Sequence, residues 1–198
     1  SGVTTLQADN NIAIGLSALV GTSATVGDNN IAIGQLALTA ATTGVNNVAI
    51  GLSAADAITT GNNNVAINKN ALGATTIGNC NVAIGICAMS GVTTGQADDN
   101  IAIGTSALSG AAATTGNRNI AIGYAALSAN AGNDNIAIGE LANLSTTVSF
   151  NIAIGTYALQ TNTTGTRNTA IGYSAMLDTD AGSNSLDSDD NIFIGYSA

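Results

Sequence analysis

The 198-residue chain has no histidine, no proline and no tryptophan, and only 8% of its residues are charged. Without histidine there is no imidazole base for a Ser-His-Asp triad, no imidazole metal ligand and no side chain that ordinarily titrates near neutrality. Without proline, and with no glycine at every third position, a collagen-like helix is excluded. Basic residues are scarcest of all, three Lys and Arg against 12 Asp and Glu, for a net charge of −9. A phosphate backbone or an anionic headgroup surface would find too few cations here, so neither nucleic acid nor membrane insertion is expected. No apolar run approaches the roughly 18 residues that a spanning helix needs. The two cysteines, Cys80 and Cys87, are too few for a disulfide framework and read as small buried or half-buried thiols. Together these absences remove most common enzyme chemistries; the chain is expected to be no enzyme and to need no cofactor.

What is present is repetition. The pentad Asn-Ile-Ala-Ile-Gly, or a near variant, occurs 11 times. Its asparagines are Asn11, Asn30, Asn47, Asn64, Asn81, Asn100, Asn119, Asn135, Asn151, Asn168 and Asn191, spaced 16 to 23 residues apart. The fourth position is always isoleucine: Ile14, Ile33, Ile50, Ile67, Ile84, Ile103, Ile122, Ile138, Ile154, Ile171 and Ile194. Glycine closes every pentad but one, where Asn68 stands instead, and alanine follows three residues later in all 11 copies. A large apolar residue such as Leu19, Leu38, Met89 or Leu159 usually comes next.

Ile-Ala-Ile alternates with period two and is β-branched at its ends, so each unit reads as a strand, a bend at glycine, a short second strand and a polar loop. The loops carry turn chemistry, as in Thr42-Thr43-Gly44 and Thr163-Thr164-Gly165. A unit this small cannot offset the entropy of ordering it, whereas stacked units pair each strand with its equivalents above and below. The expected fold is therefore all-β: a parallel β-solenoid of about 11 coils in one repeat domain over residues 1–198, roughly 50 Å long at about 4.8 Å per coil. The asparagines are expected to form an amide ladder at a corner. The isoleucines are expected to fill the interior as vertical spines. The middle residue of the pentad would then face outward. It is alanine at Ala13, Ala32, Ala49, Ala66, Ala83, Ala102, Ala121, Ala137, Ala153 and Ala170, with Phe193 the exception. So constant a small residue suggests close packing of a neighbour, and these alanines are assigned as the subunit contact of a parallel homotrimer.

The Asn-x-Ala-Ile-Gly columns resemble the head repeats of YadA-type trimeric autotransporter adhesins, and the longer unit is closer to repeats in bacteriophage tail fibres. Asn168-Thr169-Ala170-Ile171-Gly172-Tyr173-Ser174-Ala175-Met176 is the nearest copy. The resemblance implies a left-handed β-roll in threefold bundles, on a virion fibre or otherwise at an extracellular surface. The leading expectation is a shaft or head segment of a trimeric phage tail or host-recognition fibre, presenting loops to a cell-surface receptor, glycan or protein; the alternative is the head of a bacterial adhesin. Ser197-Ala198 stops short of the leucine and loop of its repeat, so the chain reads as part of a longer fibre.

Three groups of residues stand out from the repeat. Acidic residues gather in the longest insertion, at Asp178, Asp180, Asp187, Asp189 and Asp190. Without a calcium-loop motif they read as a solvated loop before a cation site, with Asp187, Asp189 and Asp190 the candidate ligands. Tyr124, Tyr157, Tyr173 and Tyr196 are confined to the second half and are candidates either for glycan stacking or for covering interchain grooves. Arg118 and Arg167 share the register position before the asparagine and are expected to pair with acidic residues across chains. An ice-binding face would want Thr-x-Thr on a strand in every coil, and the Thr-Thr pairs lie in turns instead.

Overall fold

A computed structural model describes residues 9–21, 27–91, 97–110, 116–129, 132–145, 147–177 and 189–198. Each pentad contributes one three-residue strand: β1 (Ile12–Ile14), β2 (Ile31–Ile33), β3 (Val48–Ile50), β4 (Val65–Ile67), β5 (Val82–Ile84), β6 (Ile101–Ile103), β7 (Ile120–Ile122), β8 (Ile136–Ile138), β9 (Ile152–Ile154), β10 (Thr169–Ile171) and β11 (Ile192–Ile194). The strands form one parallel sheet in chain order, and equivalent residues stand in register throughout, as in Ile31↔Val48, Ala32↔Ala49 and Ile33↔Ile50. The fold is an all-β parallel β-solenoid, with no helix among the described residues. Ladder bonds run past the strand ends: Ile31 N–H donates to Asn47 O at 2.8 Å, and Gly51 N–H donates to Ile33 O at 2.7 Å.

The two faces of the sheet are the reverse of the expectation. Ala32, Ala49, Ala66, Ala83, Ala102, Ala121, Ala137, Ala153 and Ala170 are completely buried within the single chain, so they line the interior of the solenoid and contact no neighbouring subunit. Ala13 is on the same face but lies uncovered in the first repeat. The isoleucines flanking them point outward: Ile50, Ile103 and Ile138 are each 37% exposed and Ile14 59%. The reason is cross-section. A strand of three residues spans roughly 10 Å, and the opposite wall already projects the alanine three residues past each glycine and the leucine or methionine after it. Ala37, Leu38, Ala71, Leu72, Ala88, Met89, Ala158 and Leu159 are all fully buried. Two isoleucines per repeat would overfill that space.

The second segment is a turn rather than a short strand. Its residues alternate into the left-handed region, with Leu36 at φ 62° and Leu38 at φ 50°, and this pair recurs in each repeat down to Ser174 and Met176 at φ 50° each. The turn keeps its links to neighbouring repeats, since Leu38 N–H donates to Ala54 O at 3.0 Å and Leu36 N–H to Leu16 O at 2.9 Å. Left-handed backbone costs a leucine about 1–2 kcal/mol, and full burial of its side chain returns about 1.5–3 kcal/mol. Packing therefore selects a conformation that local preference disfavours.

Candidate functional site

The asparagine column forms a buried corner of the solenoid. Asn30, Asn47, Asn64, Asn81, Asn100, Asn119, Asn135, Asn151 and Asn168 are at most 1% exposed; Asn11 and Asn191, in the first and last repeats, are half-buried. One geometry recurs. Asn47 N–H and Asn47 Nδ2 both donate to Asn30 Oδ1, at 2.9 and 3.1 Å, and Asn47 Nδ2 also donates to Gly61 O at 2.9 Å. From Asn47 to Asn135 each amide thus accepts from the following repeat and donates both backward and forward, whereas Asn151 Nδ2 lacks the backward bond and Asn168 Nδ2 has no partner. Truncating Asn100 would strand the N–H and Nδ2 of Asn119, which donate to its Oδ1 at 2.9 and 3.1 Å, and Gly116 O, which accepts from its Nδ2 at 2.9 Å. Asn100→Ala is expected to cost about 3 kcal/mol, read as a fall in thermal midpoint larger than that for Asn11→Ala.

A second ladder, which the sequence reading missed, stands two residues before the first. Here the bonds run the other way: Asn62 N–H donates to Asn79 Oδ1 at 3.0 Å, Asn79 N–H to Asp98 Oδ1 at 2.7 Å, Asp98 N–H to Asn117 Oδ1 at 2.8 Å and Asn117 N–H to Asn133 Oδ1 at 2.8 Å. Adjacent repeats are consequently held by side-chain acceptors of opposite direction within one corner. The signal was legible, because this position carries Asp9, Asp28, Asn62, Asn79, Asp98, Asn117, Asn133, Ser149, Thr166 and Asp189, short polar side chains in every repeat except at Val45. The residue between the two ladders is left-handed in all 11 repeats, from Asn10 at φ 61° to Asp190 at φ 62°, which suits the Asn and Asp that fill most of it.

That intervening column is exposed and carries the ion pairs. Arg118 meets Asp134 of the next repeat at 2.6 Å through Nε and 2.8 Å through Nη2. Arg167 meets Asp190 at 2.6 and 2.9 Å and Asp189 at 3.3 Å. Both arginines therefore find acid within their own chain. Hydrogen bonds from Arg118 and Arg167 hold the carboxyls of Asp134 and Asp190 below the ordinary carboxylate range, while the N–H and hydroxyl of Thr166 do most of the same for Asp189. A depressed carboxylate stabilises the fold above its unfolded pKa, and that contribution disappears as pH falls through the folded value. Exposed pairs contribute little, so acidification from pH 5 to pH 3 is expected to lower the thermal midpoint only slightly in wild type, and less still in Asp134→Asn.

Of the proposed cation ligands, Asp189 and Asp190 are engaged by Thr166 and Arg167. Asp187, Asp178 and Asp180 lie outside the described residues. No acidic, Cys or His cluster suited to a metal occurs among the described residues. Cys80 is exposed and Cys87 half-buried, and both are free thiols. Tyr173 and Tyr196 stack at 5.2 Å with planes 9° apart, and Tyr157 meets Tyr173 edge-on at 5.7 Å. Tyr124, Tyr173 and Tyr196 are exposed, Tyr157 half-buried.

One buried polar residue breaks the apolar wall. Asn143 takes the place of the inward leucine, between Leu127 and Leu159, and is fully buried with neither amide atom hydrogen-bonded. An unpaired buried amide costs about 1–3 kcal/mol, so Asn143→Leu is expected to raise stability by a similar amount in chemical denaturation.

One continuous surface feature of the described residues is apolar. The fourth-position isoleucines and the Ile or Val residues two before them, replaced by Thr169 in β10, form two parallel outward columns along the 11 strands. At about 4.8 Å per strand and roughly 7 Å between columns, they outline a strip on the order of 340 Å², within the range of about 300–600 Å² that the largest apolar patch of a monomer spans and that often marks a contact surface. No family model matches this sequence, and no curated protein or solved structure matches it either.

Proposed function

We propose that the chain is a structural segment, shaft or head, of a trimeric fibre of the phage tail or host-recognition kind. Three parallel copies meet along their outward isoleucine columns and present their loops for attachment to a cell surface. The winding is left-handed in this reading, as the sequence resemblance implies. The observation that carries it is the continuous outward stripe: Ile33, Ile50, Ile67, Ile84, Ile103 and Ile122 follow one another in register, each half-buried or exposed among the described residues. Burying such a strip between copies supplies the hydrophobic gain that association needs. Three aligned chains also multiply weak loop contacts into avidity, which is how a fibre holds a cell.

The acidic surface fits this role, since net charge far from zero keeps a long apolar-striped rod soluble until it assembles. The test has two readings. Light scattering at micromolar concentration should give three times the chain mass, and the assembled protein should compete with whole particles for adsorption to the host cell. A monomeric mass would overturn the assembly; a trimer that binds no cell would leave a shaft and remove the attachment role.

A further inference from the structure

The outward stripe is bounded by two rims. One is the residue before each corner asparagine, the other the residue after each bend position; each rim is exposed in all repeats but one. The first rim carries no charge before Asp99, and the second no tyrosine before Tyr124. Both arginines of the first rim, Arg118 and Arg167, stand in repeats whose second rim is a tyrosine, Tyr124 and Tyr173 respectively. The members of each pair are six positions apart, about 20 Å along an extended backbone, too far to meet within one chain. Each arginine turns instead to the aspartate of the following repeat. The strand between Arg118 and Tyr124, β7, has β6 and β8 paired on either side, so these two side chains owe nothing of their exposure to an open end; Arg118 is 55% exposed and Tyr124 57%.

A stripe of near-identical side chains repeating every 4.8 Å or so favours contact between copies without choosing their relative height. Sliding one copy by a repeat exchanges each isoleucine contact for an equivalent one. Only residues that differ from repeat to repeat can single out one height. The inference rests on the parallel threefold assembly proposed above: when three copies turn their stripes to a shared axis, symmetry sets one rim of each copy against the opposite rim of its neighbour, repeat level with repeat level. We propose that Arg118 of each copy stacks on Tyr124 of the next, that Arg167 reaches Tyr173 in the same way, and that these contacts lock the copies level. The ion pairs prepare the arginines for this. Arg118 forks onto Asp134 through Nε and Nη2 at 2.6 and 2.8 Å, which fixes the guanidinium plane and leaves its flat faces open to a ring. Asp190 holds Arg167 likewise, at 2.6 and 2.9 Å. Level stacking also sets Asp134 opposite Glu140, and Arg118, bonded to Asp134 from the preceding repeat, offsets that like-charge pair.

The experiment is a double-mutant cycle on dissociation of the assembled full chain, followed by light scattering on dilution, with wild type, Arg118→Gln, Tyr124→Leu and the two combined. Each single substitution should raise the dissociation constant by about tenfold or more, because every assembly holds three copies of the contact. The combined variant should be no weaker than the weaker single, since either change already removes the contact. Additive losses, or none from either single, overturn the pairing while leaving the assembly intact; a monomeric wild type overturns assembly and pairing together. Cross-linking reads the height directly. With Cys80→Ser and Cys87→Ser as background, Asp99→Cys plus Thr105→Cys places thiols on opposite rims of one repeat, whereas Asp99→Cys plus Lys69→Cys places them two repeats apart. A short bismaleimide should trap covalent trimers from the first pair and not the second. Equal yields, or a preference for the offset pair, would show that the copies are not held level and sink the proposal.

Discussion

Gly104→Ala is expected to disrupt the centre of the solenoid. A Cβ at this position would lie 2.5 Å from Gly123 O and 2.8 Å from Gly123 C, both backbone atoms of the next repeat. The backbone here has φ +133°, outside the left-handed pocket that asparagine or leucine tolerates. Strain of about 1–3 kcal/mol therefore adds to an overpacking cost of about 1–3 kcal/mol, and neither can relax without separating two repeats whose amide ladders hold them together. A loss on the order of 4 kcal/mol, seen as a steep drop in thermal midpoint, is the expected result. The natural exception gives the opposite sign. Asn68 occupies the glycine column at φ 99°, so Asn68→Gly should raise the midpoint. If Gly104→Ala melts like wild type, the close approach of successive bends has no energetic weight.

The second large effect belongs to the outward stripe. Ile84→Glu combined with Ile103→Glu should leave the chain folded, because both side chains point away from the interior, yet release it from its proposed assembly. Burying an unpaired carboxylate costs about 3–5 kcal/mol, and each copy would bring two of them to a shared seam. Even one such cost exceeds a hundredfold in association, so light scattering should show single chains at concentrations where the proposed wild-type trimer forms, with the circular dichroism spectrum kept. The inward counterparts behave oppositely: Ala83→Leu with Ala102→Leu should destabilise the fold itself, since both alanines are fully buried. If the alanine pair dissociated the assembly and the glutamate pair unfolded the chain, the two faces would have been assigned the wrong way round.

Much of this architecture is written in the order of residues. The 11 pentads locate the strands to the residue, their recurrence makes parallel stacking the way for units too small to fold alone to bury apolar surface, and the constant glycine marks a bend where successive backbones touch. An invariant asparagine at a corner is understandable as a ladder before any coordinates exist, because an amide both donates and accepts and so can repeat indefinitely along a stack. The second ladder was equally visible in its run of short polar residues, but it lacks a single conserved type and so does not announce itself by eye.

The assignment of inside and outside was not legible, and the reason is geometric. Period-two alternation states that Ile12 and Ile14 share one face and Ala13 takes the other; it is silent on which face turns inward. Larger side chains normally take the interior, and here they do not, because the interior of a narrow solenoid is limited by the opposite wall, where buried leucines and methionines already stand. The left-handed leucines escaped notice for a related cause, since local preference argues against them and only burial within the stack makes them favourable. Sequence alone therefore determined the repeat, the strands, their register and the polar corner. Tertiary structure decided which face is the core and which is the surface, because that choice depends on the volume enclosed by a closed coil, a quantity no single stretch of residues contains.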